Sequence, residues 1–389
     1  MTTMKITAIK TFLCDAYRTN LSFVKIETDA GVHGYGEMTL EFHDRAVLGC
    51  IEDLTPSWLG RDPMDIEALW HDSYRDAYWR GGPVLSTSLA TLEMACWDIK
   101  GKALGQPVWQ LLGGKCRDRV RCYANAWFVP AKTPAEFAAK AKEAVARGWT
   151  GLKWDPFGSA YRDITRAELL NAVRCVAAVR EAVGHTDLLI EGHGRFNVQS
   201  ALRVGQALAE FGILWFEEPL FPELLDALAE LKRRVPVPIA AGERLYTRFA
   251  AREFIEKRCG DFIQPDISRV GIKELRLIGG MADAAGVSFC PHNPAGPITN
   301  MATLHIAAST PNFFLLETMA TDVPWRSELS DEDVRIENGE MLIPTRPGLG
   351  IELNEEALAK HPPKRHHLRH YRGDLTAIRP ADAKEWFKR

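Results

Sequence analysis

The sequence predicts an α/β protein in which an α+β domain precedes a barrel of alternating strands and helices. With 389 residues, the chain is long enough for two domains, or for one barrel with an accessory domain. Its first hundred residues alternate apolar and polar positions and then turn helical. From about residue 120, short apolar strands alternate with amphipathic helices, and strands three to eight start at 188, 214, 238, 262, 288 and 314. This regular spacing is typical of βα units around a parallel sheet.

The first domain is expected to begin as an antiparallel hairpin layer. The segments MKITAIKTFLC and SFVKIETDAGVHGYGEM alternate like strands, and DAG is a favourable hairpin turn. The clearest helical pattern, STSLATLEMACWDIKGKALG, spans residues 86–105. Ser86 or Ser88 is the expected N-cap, and Gly105 followed by Pro107 is expected to end the helix. We therefore expect an α+β domain over residues 1–120.

The second domain is expected to be a barrel over residues 121–320. Its eight predicted strands are RCYANAW, GLKWD, LLIEGH, LWFEEP, PIAAGE, DFIQPDI, SFCPHN and FFLLET. The helical patterns between them cover 134–147, 165–183, 198–211, 223–234, 247–258, 273–285 and 299–309. No G-x-G-x-x-G motif follows a first strand, which disfavours a dinucleotide-binding fold. Residues 321–389 begin with what resembles two strands around a turn, and this C-terminal segment is expected to pack back on the first domain.

Composition excludes several classes of protein. The chain is 46% hydrophobic with a formal net charge of -3, and no basic stripe indicates nucleic-acid binding. No apolar run approaches the ~20 residues that span a membrane, and the N-terminus lacks the apolar region of a secretory signal. The eight cysteines show no C-x-x-C spacing, so we expect reduced, mostly buried thiols. A cytoplasmic protein with a small-molecule partner is the expectation.

Ionisable residues lie at the ends of six consecutive predicted strands, from the third to the eighth. In order they are Glu191, Glu217, Glu243, Asp266, His292 and Glu317. In barrels of this type the active site lies at the C-terminal ends of the strands, so we expect these side chains to converge. The first three are spaced 26 residues apart, and converging carboxylates repel one another unless a cation holds them. All-oxygen ligands suit a hard ion such as Mg²⁺.

Four neighbouring residues are further candidates. His193 lies two residues after Glu191, which places it on the same face. Lys153 and Asp155, at the end of the second strand, also share one face. His43, in the LEFHD segment of the first domain, could reach a substrate from a loop.

Many short motifs occur in an order that resembles the mandelate racemase group of the enolase superfamily. They are CWDIKGKALGQPVWQLLGG, WFEEP, GER, QPD and PGLGIEL. The resemblance covers nearly the whole chain. It implies a (β/α)7β modified TIM barrel with an α+β N-terminal capping domain, assembled as a homo-oligomer. It also implies that Glu191, Glu217 and Glu243 bind Mg²⁺.

The resemblance implies roles for the remaining strand-end residues as well. Asp266 and His292 would form an Asp–His dyad, and Glu317 would hydrogen-bond the substrate carboxylate. Two positions depart from the usual pattern of the group. Glu191 stands where an aspartate is usual, and the K-x-K motif reads Lys153-Trp154-Asp155, so its second lysine is missing.

The HGR segment at His193 to Arg195 is similar to that of galactonate dehydratases and other acid-sugar dehydratases of the group. The resemblance therefore implies a Mg²⁺-dependent hydro-lyase acting on a sugar acid. His292 would remove the proton at C2, and His193 would protonate the departing 3-hydroxyl. Lys153, Asp155 and Arg195 would bind the substrate.

Two other functions remain open at this stage. One is a cycloisomerase or epimerase that acts on a related sugar acid with the same metal and His292. The other is a non-catalytic sugar-acid binding protein. The sequence does not distinguish an aldonate from an aldarate substrate.

Overall fold

The computed structural model describes residues 4–367, 371, 380 and 382–389. The strands are β1 (Ile6–Asp15), β2 (Asn20–Thr28), β3 (His33–Glu37), β4 (Arg119–Asn125), β5 (Gly151–Trp154), β6 (Asp187–Glu191), β7 (Trp215–Glu217), β8 (Ile239–Ala241), β9 (Phe262–Ile263), β10 (Ser288–Phe289), β11 (Leu316–Met319), β12 (Ile336–Glu337) and β13 (Glu340–Leu342). The helices are α1 (Asp44–Trp58), α2 (Ile66–Asp76), α3 (Pro83–Leu104), α4 (Val108–Leu111), α5 (Pro134–Ala146), α6 (Arg166–Val183), α7 (Val198–Leu208), α8 (Leu225–Arg234), α9 (Arg248–Glu256), α10 (Ile267–Ala284), α11 (Pro297–Ser309) and α12 (Glu355–Lys360). Within the described ranges, none of the helices is both long enough and apolar enough to cross a membrane.

The N-terminal domain is a three-stranded antiparallel sheet, β1-β2-β3, covered by helices, as expected. The predicted DAG turn joins β2 to β3, with Gly31 at φ +74°. Helix α3 ends at left-handed Gly105, as predicted, but it begins three residues earlier than Ser86. Gly82 takes the N-cap position, and Pro83 is the first helical residue. Proline is favoured there because the N–H that it lacks would have no partner within the helix. Ser86 and Ser88 are buried within the helix instead.

The barrel is confirmed as (β/α)7β. Strands β4 to β10 pair in parallel in chain order, and β11 pairs in parallel with β4. The ring closes where the Phe314 N–H donates to the Phe289 carbonyl at 3.0 Å. Helices α5 to α11 occupy the seven connections. Since the eight strands form one ring, β6 and β10 lie four strands apart, on opposite sides of the barrel.

Helix α10 differs from its prediction over 273–285, because it begins six residues earlier, at Ile267. The Asp266 carboxylate caps it by accepting from the Ser268 N–H at 2.8 Å. A kink at Gly271, with φ 80° and ψ 175°, then interrupts the helical backbone. The regular apolar period resumes only beyond the kink, which is why the sequence pattern indicated a later start.

The C-terminal residues contact both domains. Strand β13 pairs antiparallel with β4, so the hairpin β12–β13 extends the barrel rather than packing on the first domain. The following chain does contact the first domain: the Leu349 N–H donates to Asp98 at 2.8 Å, and the Asp15 N–H donates to the His361 carbonyl at 2.9 Å. The boundaries at residues 120 and 320 stay a prediction.

A buried carboxylate of the N-terminal domain caps the last barrel helix. Glu37, at the end of β3, is fully buried. It accepts hydrogen bonds from the backbone N–H of Gly296 at 2.6 Å and of Thr299 at 3.0 Å. These two donors lie at the start of α11, where N–H groups have no partner within the helix.

A second buried carboxylate, Glu93 of α3, accepts hydrogen bonds from backbone N–H groups of α10 just beyond its kink. It accepts from the N–H groups of Ile272 at 2.8 Å and Lys273 at 2.7 Å, and from the Trp97 indole at 2.7 Å. Burial raises the pKa of Glu93 to about 7, although these donors favour the charged form. The two domains are therefore joined by hydrogen bonds that complete barrel helices.

Candidate active site

Three glutamates meet at the C-terminal end of the barrel. Glu191 and Glu217 are the last residues of β6 and β7, and Glu243 follows β8 by two residues. One carboxylate oxygen from each lies within 4.8 Å of the others. The turn that presents Glu243 requires a glycine, since Gly242 has φ +142° and a Cβ there would lie 2.8 Å from the Gln264 backbone nitrogen.

The electrostatics of this cluster favour a bound cation. Burial, together with the neighbouring charge of Glu191, raises the pKa of Glu217 well above its ordinary value. Burial also raises the pKa of Glu243, although His292 opposes this. The three buried carboxylates repel one another and offer only oxygen ligands. Such a set fits a hard divalent cation such as Mg²⁺.

Lys153 lies inside the carboxylate cluster rather than at its edge. Its ammonium contacts Glu217, lies 2.9 Å from Glu191 Oε2 and lies 3.2 Å from Glu317 Oε1. Burial disfavours its charge, but the carboxylates of Glu217, Glu317 and Glu191 outweigh this and hold the pKa of Lys153 well above its ordinary value. Lys153 therefore supplies a fixed positive charge at the end of β5. Its predicted contact with substrate stays a prediction.

Asp266 and His292 are paired, as the resemblance implied. His292 Nδ1 lies 2.8 Å from Asp266 Oδ2. Its Nε2 faces the cluster, at 3.4 Å from Glu243 and 3.8 Å from Glu317. Burial lowers the pKa of His292, but the nearby carboxylates of Glu243, Glu317 and Asp266 more than compensate and raise it to about 9. Nε2 is thus the nitrogen that would exchange a proton with a substrate.

Glu317 ends close to the same point, fully buried in β11. Its Oε1 accepts from the Asn125 side chain at 2.9 Å, and its Oε2 accepts from the Asn293 N–H at 3.2 Å. Sequence reasoning missed both asparagines. Asn125 is the last residue of β4, so the strand-end rule applied to the first barrel strand would have found it.

His193 lies across the barrel from His292, since it follows β6 and His292 follows β10. The His193 N–H donates to Glu191 Oε1 at 2.7 Å, and its Nδ1 lies 2.7 Å from Asp155 Oδ2. From the C-terminal segment, the Tyr371 hydroxyl donates to the His193 carbonyl at 2.8 Å. Nothing in the sequence pattern pointed to Tyr371. The site therefore holds two histidines on opposite sides of an acidic centre.

Two predicted substrate-binding residues lie elsewhere. The Arg195 side chain is fully buried, and its guanidinium contacts Asp155 and the carbonyls of Gly192, Gly158 and Ala160. These internal acceptors occupy the guanidinium, and the predicted contact of Arg195 with substrate stays a prediction. His43 is exposed and its Nδ1 lies 3.0 Å from the Glu41 carbonyl. Among the described residues, no recorded contact joins His43 to the strand-end carboxylates.

Comparison with known families gives two matches. Residues 3–113 match the mandelate racemase/muconate lactonizing enzyme N-terminal domain. Residues 136–357 match the family described as enolase C-terminal domain-like.

The chain is also similar to named relatives and to solved structures. It is 37% identical to the D-galactonate dehydratase of Ralstonia nicotianae, over 90% of this chain and 93% of that protein. It is 34% identical to the D-gluconate/D-galactonate dehydratase of Picrophilus torridus, over 88% of this chain and 89% of that protein. A crystal structure of a mandelate racemase/muconate lactonizing enzyme from Sulfitobacter superposes with a TM-score of 0.89 at 32% identity, covering 94% of this chain and 97% of that one.

Proposed function

The chain belongs to the mandelate racemase/muconate lactonizing enzyme family of the enolase superfamily, and we propose that within it the protein is a Mg²⁺-dependent dehydratase of acid sugars. The observation that carries this proposal is the pair of histidines on opposite sides of the carboxylate cluster. Loss of water from a sugar acid needs a base at C2 and an acid at the 3-hydroxyl. The relatives named as galactonate and gluconate dehydratases make an aldonate the first substrate class to test.

Glu191, Glu217 and Glu243 would hold the cation. When bound, Mg²⁺ would supply positive charge beside the substrate carboxylate, which makes the adjacent C–H bond more acidic. Glu317, fixed by two asparagines, would lie against the same carboxylate and, when protonated, would donate a hydrogen bond to it as charge develops there. Lys153 would add a fixed positive charge close to that point.

The two histidines would divide the proton transfers. His292 Nε2 removes the C2 proton, while Asp266 keeps the other ring nitrogen occupied. The C3–O bond then breaks as His193 gives a proton to the departing hydroxyl, and water leaves. The resulting enol takes up a proton at C3 to become a 2-keto-3-deoxy sugar acid. A positioned acid or base of this kind contributes about 10²–10⁴-fold in rate.

The test is a screen of purified protein with Mg²⁺ against aldonic and aldaric acids, with 2-keto acids detected by semicarbazide. D-galactonate and D-gluconate come first. We expect one strong substrate, and we expect its turnover to be lost in His193→Asn and in His292→Asn. A silent library, with continued exchange of the C2 proton into deuterated water, would overturn dehydration in favour of an epimerase or cycloisomerase.

A further inference from the structure

The backbone of His193 is held in a conformation that a side chain rarely adopts. Its φ is +51°, in the left-handed region, and the next residue, Gly194, has φ +64°. Such a conformation costs free energy and persists only where neighbouring contacts impose it. Here the N–H is held by Glu191, the carbonyl by Tyr371, and the Gly194 N–H by the Glu218 carbonyl at 2.8 Å. The main chain at His193 is therefore fixed before any substrate arrives.

The side chain of His193 is fixed as well, through Asp155. Only 2% of the Asp155 side chain is exposed, and its Oδ2 lies 2.7 Å from His193 Nδ1. Its other oxygen accepts from the Phe157 N–H at 2.9 Å. The buried guanidinium of Arg195 contacts the same Oδ2 and is itself anchored by three backbone carbonyls. Both carboxylate oxygens are thus occupied by protein groups.

We propose that Asp155 is a positioning residue for His193 rather than a substrate-binding residue, and that Arg195 in turn positions Asp155. The proposal rests on the proposed dehydratase function. Because the carboxylate accepts from Nδ1–H, the proton that His193 gives up must come from Nε2, on the far side of the ring. This arrangement parallels Asp266 and His292 on the opposite side of the barrel. It also gives a reason for aspartate in the Lys153-Trp154-Asp155 motif, since a lysine there could not accept from an N–H.

The test compares Asp155→Asn, His193→Asn and the double variant on the aldonate found by the screen. We expect kcat for dehydration to fall at least about 10²-fold in Asp155→Asn, with KM changed less than about threefold. We expect exchange of the C2 proton into deuterated water to continue, because His292 and Asp266 are untouched. The double variant should be no slower than His193→Asn alone, since both changes disable one unit.

The matched control is Asp187→Asn. Asp187 is the first residue of β6, at the opposite end of the barrel, and it also pairs with an arginine, Arg121. We expect this variant to keep its dehydration rate. Equal loss of activity in the control would show that losing any aspartate–arginine pair disturbs the fold, and it would overturn the specific role of Asp155.

The outcomes separate this inference from the proposed function. If His193→Asn abolishes dehydration but Asp155→Asn does not, the positioning role is wrong and the dehydratase proposal stands. If the losses in the double variant multiply, Asp155 acts independently of His193, as a substrate-binding residue would. If neither single variant affects dehydration, the assignment of His193 as acid fails first.

A measurement without substitution at Asp155 guards against misfolding. In protein labelled with ¹⁵N-histidine, the signal missing from His193→Asn identifies His193. We expect it to report a proton on Nδ1 in the neutral ring. A neutral ring with its proton on Nε2 alone would overturn the proposal.

Discussion

Replacement of Gly271 by alanine tests how strongly the two domains are joined. Gly271 lies at the kink of α10 with φ 80° and ψ 175°, a region that is essentially restricted to glycine. A Cβ added there would lie 2.1 Å from Glu93 Oε2. Either the kink or the Glu93 carboxylate must therefore move, and Glu93 holds the N–H groups of Ile272 and Lys273.

Two costs contribute to the expected loss of stability. The unfavourable backbone conformation costs about 1–3 kcal/mol. Loss of a hydrogen bond to a buried carboxylate costs about 1.5–3 kcal/mol for each donor left without a partner. With at least one of the two N–H groups released, we expect Gly271→Ala to lower the free energy of unfolding by about 4 kcal/mol.

The same helix offers a matched control. Gly280 is exposed, lies in regular helix and has nothing within 4 Å of an added Cβ. Alanine there should stabilise the helix by up to about 1 kcal/mol. Urea unfolding followed by circular dichroism measures both variants. If the free energies of unfolding of Gly271→Ala and Gly280→Ala differ by less than about 1 kcal/mol, the Glu93 contact does not hold the domains together as described.

Three further predictions concern the metal site, acid stability and thiols. Glu217→Gln should weaken Mg²⁺ binding in calorimetry at least about 10-fold, whereas Glu253→Gln should not, because Glu253 is exposed and pairs with Lys257, away from the three carboxylates. Burial lowers the pKa of His305 from 6.5 to about 4, so wild-type stability should fall by up to about 3 kcal/mol as pH drops through this window. His305→Gln should remove most of that dependence in urea unfolding, and an unchanged profile would contradict it. A thiol reagent should modify Cys116 first in the native protein, because it is the exposed cysteine of the eight; mass spectrometry showing another site first would refute this.

The strand ends were predictable because the barrel imposes a fixed spacing on them. Glu191, Glu217 and Glu243 recur at one interval, and all of them lie at the same level of the structure. The hairpin turn and the left-handed Gly105 were also predictable, since local backbone geometry determines them.

Tertiary contacts account for what the sequence did not reveal. Asp155 was assigned to substrate because its partners, His193 and Arg195, lie about 40 residues later in the chain. Glu93 and Glu37 bind barrel residues that lie 179 and 259 positions later in the chain. No local pattern distinguishes such a buried carboxylate from a charge in solvent.

The contacts of Glu37 and Glu93 have a consequence for biosynthesis. Both glutamates leave the ribosome early, within the first hundred residues. The N–H groups that donate hydrogen bonds to them belong to residues 272 to 299. Until those residues emerge, burying either charge in the nascent N-terminal domain would be costly. The first domain is therefore expected to fold stably only when synthesis is nearly complete. A nascent chain stalled before residue 272 should remain sensitive to protease in both halves.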